Sequence, residues 1–596
     1  MKTSTAPFPR RDRTPIRRRS DSRPPRPRET RVPDARRAFS FFLHGHLPWV
    51  LGHGSWPHGE EWLHEAALAT YLPLVAAARR LREKGCDGGI TLSLSPVLTE
   101  QLAHGSFRRG LVEYLETRVR SAAADQRRFG EDGDTRRSEL ARRWEERTAG
   151  MLRLFTEDLG EDIPGAFRDL EASGTLELAT CGATHGYLPL LAREESVALQ
   201  VELARRTHER HYGRAPRGIW LPEAAYRPAG AWTPPVGGGH CRTRPGVEAF
   251  LDRAGFEYFI VDSGLLARGK SLGSYPDHFR DMENFRHDAA AAAPGRTAAD
   301  ASDTRLPYRV GNSGVSCFVR DPATGLQVWS RDTGYPGDPV YLEFHKKSDT
   351  GGHRYWSVTG PDADLGDKAL YDFDDAARCA TDHARHFAGL VTGLLADASP
   401  GGILVAPFDA ELFGHWWFEG VDWLETVLEE LHTSGAVAPG SLSEHLHTHP
   451  ATTAVDLPEG SWGQGGHHFV WMNPQVEWSW EKLYAVEDEV WSVMEAARTA
   501  ESRDALRFAK AALRQLLVMS ASDWQFLITT GAAGDYAAER LELHAKDASR
   551  LAEVARRLAG GAEATAEEME LLRTLEAREP LFSELEAAVG GGVPVG

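Results

Sequence analysis

FSFFLHGH, residues 39–46, is an apolar run of strand length that stops in a histidine cluster, His44-Gly45-His46. The same figure returns at ITLSLS (90–95) and at LELAT (176–180), ahead of Cys181 to His185. It returns again at GIW (218–220) ahead of Leu221-Pro222-Glu223, at FEYFIVD (256–262) and at GILVAPFD (402–409). Between these runs lie stretches such as 60–83 and 196–212, whose apolar residues recur at three and four spacing as in helices that cover a sheet. Strands alternating with helices predict an α/β fold with a parallel sheet buried on both faces. Because several strands end in His, Glu or Asp, a closed barrel with its chemistry on the C-terminal rim is expected; an open doubly wound sheet is the alternative. Gly237-Gly238-Gly239 does not open a helix after a strand, so it reads as loop rather than as a nucleotide fingerprint.

The chain of 596 residues is long enough for two or three structural units, and 41% hydrophobic with 26% charged residues is a globular composition. No run approaches eighteen consecutive apolar residues, and the basic N-terminus lacks the apolar stretch of a secretory signal. No membrane association and a cytoplasmic location are therefore expected. Five scattered cysteines without a C-x-x-C pair suggest reduced thiols rather than disulfides or a zinc ribbon. A net charge of −18 argues against nucleic acid as partner and suits a neutral substrate. Residues 1–38 are Arg/Pro-rich with almost nothing apolar to bury and read as a disordered tail. The catalytic unit is expected over 39–434, with an Arg/Glu/Leu/Ala-rich helical insertion at about 106–172 and a low-complexity loop at 288–304. Strand signals fade beyond residue 435, where 435–596 reads as a helical C-terminal domain.

Cleavage of a glycosidic bond needs two carboxyl groups, one protonated and one ionised, on opposite sides of the bond. Glu223 in GIWLPEAAY and Asp409 in GILVAPFDAELFGHWW, each just after a strand, are the best-placed pair. A lone carboxylate there would more simply be a helix cap or a surface charge; the pair outweighs that reading. His44 and His46 alternate along a strand and so share a face, where they could ligate a divalent ion, bond sugar hydroxyls, or serve as satisfied structural histidines. Of 17 tryptophans, several (Trp56, Trp62, Trp329, Trp462, Trp471) stand in loop-like polar contexts, where an indole face can stack on a pyranose ring.

Seven segments carry a family resemblance: residues 44–66 (HGHLPWVLGHGSWPHGEEWLHEA), 181–191 (CGATHGYLPLL), 218–228 (GIWLPEAAYRP), 327–347 (QVWSRDTGYPGDPVYLEFHKK), 407–420 (PFDAELFGHWWFEG), 458–471 (PEGSWGQGGHHFVW) and 521–528 (ASDWQFLI). In this order they resemble the motifs of glycoside hydrolase family 57, specifically its 1,4-α-glucan branching enzyme group. The resemblance implies a (β/α)7 barrel, an incomplete TIM-like barrel with a helical insertion and a helical C-terminal domain, working by retaining chemistry on α-glucan without a metal or other cofactor. It assigns the nucleophile to Glu223 and the acid/base to Asp409. It places His44, His46, His185, Arg320 and Asp523 around the cleavage site, and Trp56, Trp62, Trp329, Trp462 and Trp471 on glucan.

One departure from the family pattern stands out. Branching enzymes of this group carry a tyrosine on a mobile loop after the nucleophile, yet residues 227–245 contain none. Trp232 and His240 are the candidates to take its place as a lid. An α-1,4 hydrolase or 4-α-glucanotransferase of the same family would share every residue named above. The residues taken by themselves are also compatible with a metal-dependent barrel hydrolase that uses His44 and His46 as ligands, and with a catalytically silent glucan-binding protein.

Overall fold

The computed structural model describes residues 37–267, 303–330, 333–360 and 362–590. Most of the 1–38 tail and of the 288–304 stretch lies outside them. Seven parallel strands build the barrel: β1 (Ala38–Gly45), β2 (Ile90–Leu94), β3 (Glu177–Cys181), β4 (Gly218–Trp220), β5 (Tyr258–Val261), β6 (Ser316–Val319) and β7 (Ile403–Asp409). They pair in the order β7-β1-β2-β3-β4-β5-β6, with every pairing parallel. All eight residues of β1 and all seven of β7 are buried, as continuous apolar runs in a two-sided sheet require. The one polar side chain midway along β1, Ser40, lies 3.4 Å from the Thr91 hydroxyl of β2.

Between β6 and β7 the ring closes on a single bridge, Arg320 with Val405, where the Asp321 N–H donates to the Val405 carbonyl at 3.0 Å. Alternate residues of a strand address the same neighbour, so residue 407 would supply the next rung. It is proline, which has no N–H to donate.

The stretch 106–172 is occupied by two long helices in extensive contact, α1 (Gly105–Glu131) and α2 (Thr135–Arg153), and a shorter one at Ile163–Ala172. Helix α3 (Phe373–Leu395) runs into β7 and packs on the helix Gly420–Ser434. The C-terminal region is a bundle of α4 (Glu477–Thr499), α5 (Arg503–Met519), α6 (Asp523–Thr530) and α7 (Gly534–Ala559). The described residues all fall in one compact unit, so this bundle is continuous with the barrel rather than set apart from it. No helix among the described residues is long and apolar enough to cross a membrane.

Candidate active site

Strand β4 ends in a 3-10 turn, Pro222–Ala224, in which Glu223 (φ 61°) and Ala224 (φ 47°) both take left-handed backbone conformations. His185, after β3, does the same at φ 61°. Non-glycine residues held there cost on the order of 1–3 kcal/mol each and need over-determining surroundings. Segment 460–462 supplies them: Tyr226 and Gly460 exchange backbone hydrogen bonds at 2.8 and 3.0 Å, and the Trp462 N–H donates to the Glu223 carbonyl at 3.1 Å. The Ser522 N–H holds the His185 carbonyl at 3.0 Å in the same way.

The strained turn presents the Glu223 carboxylate to two donors, the Trp462 indole N–H on Oε2 and the Ser522 hydroxyl on Oε1, each at 3.0 Å. Burial is the main influence on this carboxyl and pushes its pKa up to about 7. Nearby Asp523 adds to the rise, while the two donors and His46 oppose it.

On the facing wall, β1 and β7 are in register so that His44 lies beside Asp409. His44, His46 and His185 form a stack on Trp220: centroids are 3.9 Å apart for His46 and His185, and 5.3 Å for His44 and Trp220. Five of the six ring nitrogens of the three are hydrogen-bonded at 2.9 Å or less. His46 bonds Ser95 at 2.8 Å and Asp523 at 2.9 Å, while His185 bonds Ser522 at 2.8 Å and His44 at 2.9 Å. The second nitrogen of His44 lies 3.4 Å from the Ser93 hydroxyl. With the Ser522 proton directed at Glu223, His185 Nδ1 donates to Ser522 and its Nε2 accepts from His44. Burial holds both His44 and His185 well below the usual histidine range, so both are neutral. His46, His185 and Asp523 do bring potential ligand atoms within 4.8 Å of one another. Because these nitrogens already bond one another and their neighbours, the imidazoles form a fixed, hydrogen-bonded wall of the cleft.

These groups share one cleft of about 460 Å³, lined among others by His44, His46, Trp62, His185, Glu223, Asp409 and Asp523. The size and the mixed polar and aromatic lining fit a sugar unit with neighbouring rings. Other tryptophans named from the sequence stand elsewhere. Trp462 and Trp471 are 1% and 0% exposed; Trp462 lies behind Glu223, and Trp471 lies against Tyr187 with centroids 4.9 Å apart. Trp56 is 77% exposed, next to Pro57 of the cleft wall. Trp329 ends the helix Pro322–Trp329 and is not part of the wall. Arg320 is buried and is not part of the cleft wall; it pairs with Asp262 at 3.3 Å, its guanidinium 5.9 Å from the Trp462 ring centroid.

The segment after Glu223 forms a small hairpin, Gly230–Trp232 with Arg242–Arg244. Its Trp232 is buried under the guanidinium of Arg244 at 4.4 Å, and Arg244 is anchored on the Leu191 carbonyl. His240 is exposed in the connecting turn, and neither residue lines the cleft.

Sequence reasoning passed over three contributors. Glu411 lines the cleft, accepts from the His46 N–H at 3.1 Å and from the Tyr71 hydroxyl, and is pushed up to about 7 by burial. It stands two residues beyond Asp409, so a second carboxylate in the same motif was the available signal. Ser522, adjacent to Asp523, and His415, in GHWW, also lay inside motifs already singled out.

The model of glycosyl hydrolase family 57 matches residues 40–458, and that of the 1,4-alpha-glucan branching enzyme C-terminal region matches 482–589. The 1,4-alpha-glucan branching enzyme of Thermococcus kodakarensis is 41% identical over 527 residues, 86% of this chain and 73% of that protein. Its crystal structure, in complex with glucose and additives, aligns with a TM-score of 0.82 over 93% of this chain and 96% of that one, at 37% identity. The branching enzyme of Pyrococcus horikoshii gives 0.81 at 37% identity, covering 94% and 98%. The alpha-amylase AmyC of Thermotoga maritima gives 0.74 at 27%, covering 93% and 99%. With most of its length matched in sequence and fold, the chain belongs to glycosyl hydrolase family 57, and the branching-enzyme type of C-terminal region follows its barrel.

Proposed function

We propose that the chain is a 1,4-α-glucan branching enzyme, a retaining transglycosylase that cleaves α-1,4 linkages and forms α-1,6 branches in glycogen-type glucan in the cytoplasm. The observation that carries the reading is the meeting of Glu223 and Asp409 in one cleft floored by neutral imidazoles. The kinship with branching enzymes chooses among the reactions such a pair can perform.

Asp409 protonates the glycosidic oxygen while Glu223 attacks the anomeric carbon, which releases the reducing-end fragment and leaves a β-linked glucosyl-enzyme. Asp409, now ionised, removes the proton from the 6-hydroxyl of an incoming glucan segment. That oxygen displaces Glu223 and restores the α configuration. Retention requires the two carboxyl groups to work about 5–5.5 Å apart, against roughly 6.5–9.5 Å for inversion. The Trp462 and Ser522 donors favour the ionised form of Glu223 that attack needs, against the effect of burial. His44 and His185, both neutral, wall the cleft beside the sugar without burying a charge there.

Incubation with amylose followed by linkage analysis tests the reading. New α-1,6 linkages in excess of released reducing ends are expected, and reducing ends without branches would overturn it. The hydrolytic alternative has one observation in its favour: the hairpin after Glu223 lacks a tyrosine to shield the intermediate from water. Branching accompanied by measurable hydrolysis is therefore expected.

A further inference from the structure

Helix α3 carries Cys379 and His383 four residues apart, a spacing that puts both on one face. Opposite them, after the turn Tyr335–Gly337, stands Asp338. The Cys379 sulfur lies 3.8 and 3.9 Å from the two ring nitrogens of His383, and His383 Nε2 lies 3.8 Å from Asp338 Oδ2. One atom from each residue falls within 4.8 Å of the others. Bonds of about 2.0–2.3 Å to a tetrahedral zinc ion put its ligands about 3.5 Å apart, so the ion would draw the carboxylate in and swing the sulfur by about 1 Å, from its place equidistant from both ring nitrogens to the Nε2 side.

Neighbouring groups orient the three side chains toward one another. The Tyr341 hydroxyl lies 2.8 Å from His383 Nδ1, where it can accept the ring N–H and leave the Nε2 lone pair facing Asp338. Tyr335 stacks on the same ring at 4.6 Å and 28° and fixes its plane. Asp338 Oδ1 accepts the Val340 N–H at 3.0 Å, which leaves Oδ2 for the cluster. All three ligands are half-buried, so a water can reach the fourth position. In the catalytic cleft, by contrast, the ring nitrogens bond one another and their own neighbours.

We propose that Asp338, Cys379 and His383 bind one divalent zinc-type ion, with water as fourth ligand, and that the ion clips the segment around Asp338 to helix α3. Cys379 binds as thiolate and releases its proton to solvent on metal entry. The clipped segment continues to Phe344, which lines the catalytic cleft, so the ion braces one wall of that cleft without touching the reacting bond.

The test uses the untagged full-length protein, stripped with EDTA and titrated with Co²⁺. A thiolate-to-cobalt charge-transfer band saturating at one equivalent is expected, lost on addition of Zn²⁺. The band should be absent in Cys379→Ser and His383→Gln and retained in Cys241→Ser. Zn²⁺ should raise the melting temperature of the wild type by several degrees and leave that of Cys379→Ser unchanged, while turnover on amylose below the transition stays the same. Absence of the band in the wild type overturns the proposal. So does a band that survives Cys379→Ser, and one that disappears in Cys181→Ser instead would place the ion behind the catalytic histidines. Should Cys379→Ser fail to fold, His383→Gln and Asp338→Asn decide by the same two readouts.

Discussion

The indole N–H of Trp462 donates to Glu223 Oε2 at 3.0 Å, across 239 residues of chain. A tryptophan expected to stack on glucan is instead buried at the back of the proposed nucleophile and holds its carboxylate. In Trp462→Phe the ring volume is nearly kept and the donor is lost. One hydrogen bond to a charged group is worth about 1.5–3 kcal/mol, so kcat should fall roughly 10- to 100-fold with KM for amylose nearly unchanged. A rise in KM at constant kcat would restore the stacking role.

The acid limb of the pH–kcat/KM profile should report Glu223, with activity rising as pH increases through about 7. In Trp462→Phe the limb should move to higher pH, because a donor to the ionised form has gone. A limb at the ordinary carboxylate range would contradict the burial described above.

Glu223→Gln should abolish transfer while glucan still binds, since the amide keeps the shape and cannot form the glucosyl ester. It should also stabilise the fold at neutral pH. The folded-state pKa lies above the unfolded one, so wild type loses stability as pH rises from about 4.5 to 7 and then levels off; the amide does not. The difference is on the order of 3 kcal/mol for a shift from 4.5 to about 7. Melting curves of both proteins at pH 4 and pH 8 check this: they should converge at the first and separate at the second.

Asp409→Asn should lose at least about a hundredfold in turnover on amylose, the usual effect of removing a general acid. A glucosyl donor with a good leaving group needs no protonation, so it should still glycosylate Glu223 and the deficit in that first step should shrink. Equal loss with both donors would remove the acid role.

Trp232→Ala should loosen the hairpin by removing the surface on which Arg244 lies, and should raise the ratio of reducing ends to α-1,6 linkages. His240→Ala, at an exposed position, should leave that ratio unchanged. An unchanged ratio in Trp232→Ala would separate the hairpin from water exclusion.

The barrel was legible because its strands are unbroken apolar runs that end in functional side chains, as FSFFLHGH does. That Glu223 and Asp409 stand at strand ends on one cleft was legible for the same reason. The backing of Glu223 was not: Trp462 and Ser522 come from segments with no local periodicity pointing at residue 223, and only the fold brings them there. Nor does a sequence distinguish a tryptophan lining a cleft from one buried beneath a carboxylate, since Trp62 and Trp462 sit in equally polar contexts. The single-bridge seam at Arg320 and Val405 is the converse case, because Pro407 announced it in a run otherwise read as an ordinary central strand.

The dependence of Glu223 on Trp462 and Ser522 has a consequence for how such enzymes can be recombined. The acidity of a residue on the barrel is set in part by residues that follow it. A chimera that joins this barrel to the C-terminal portion of a relative would import a foreign environment for its proposed nucleophile. Unless both donors came along, the hybrid would fold with its substrate cleft present and its working pH displaced.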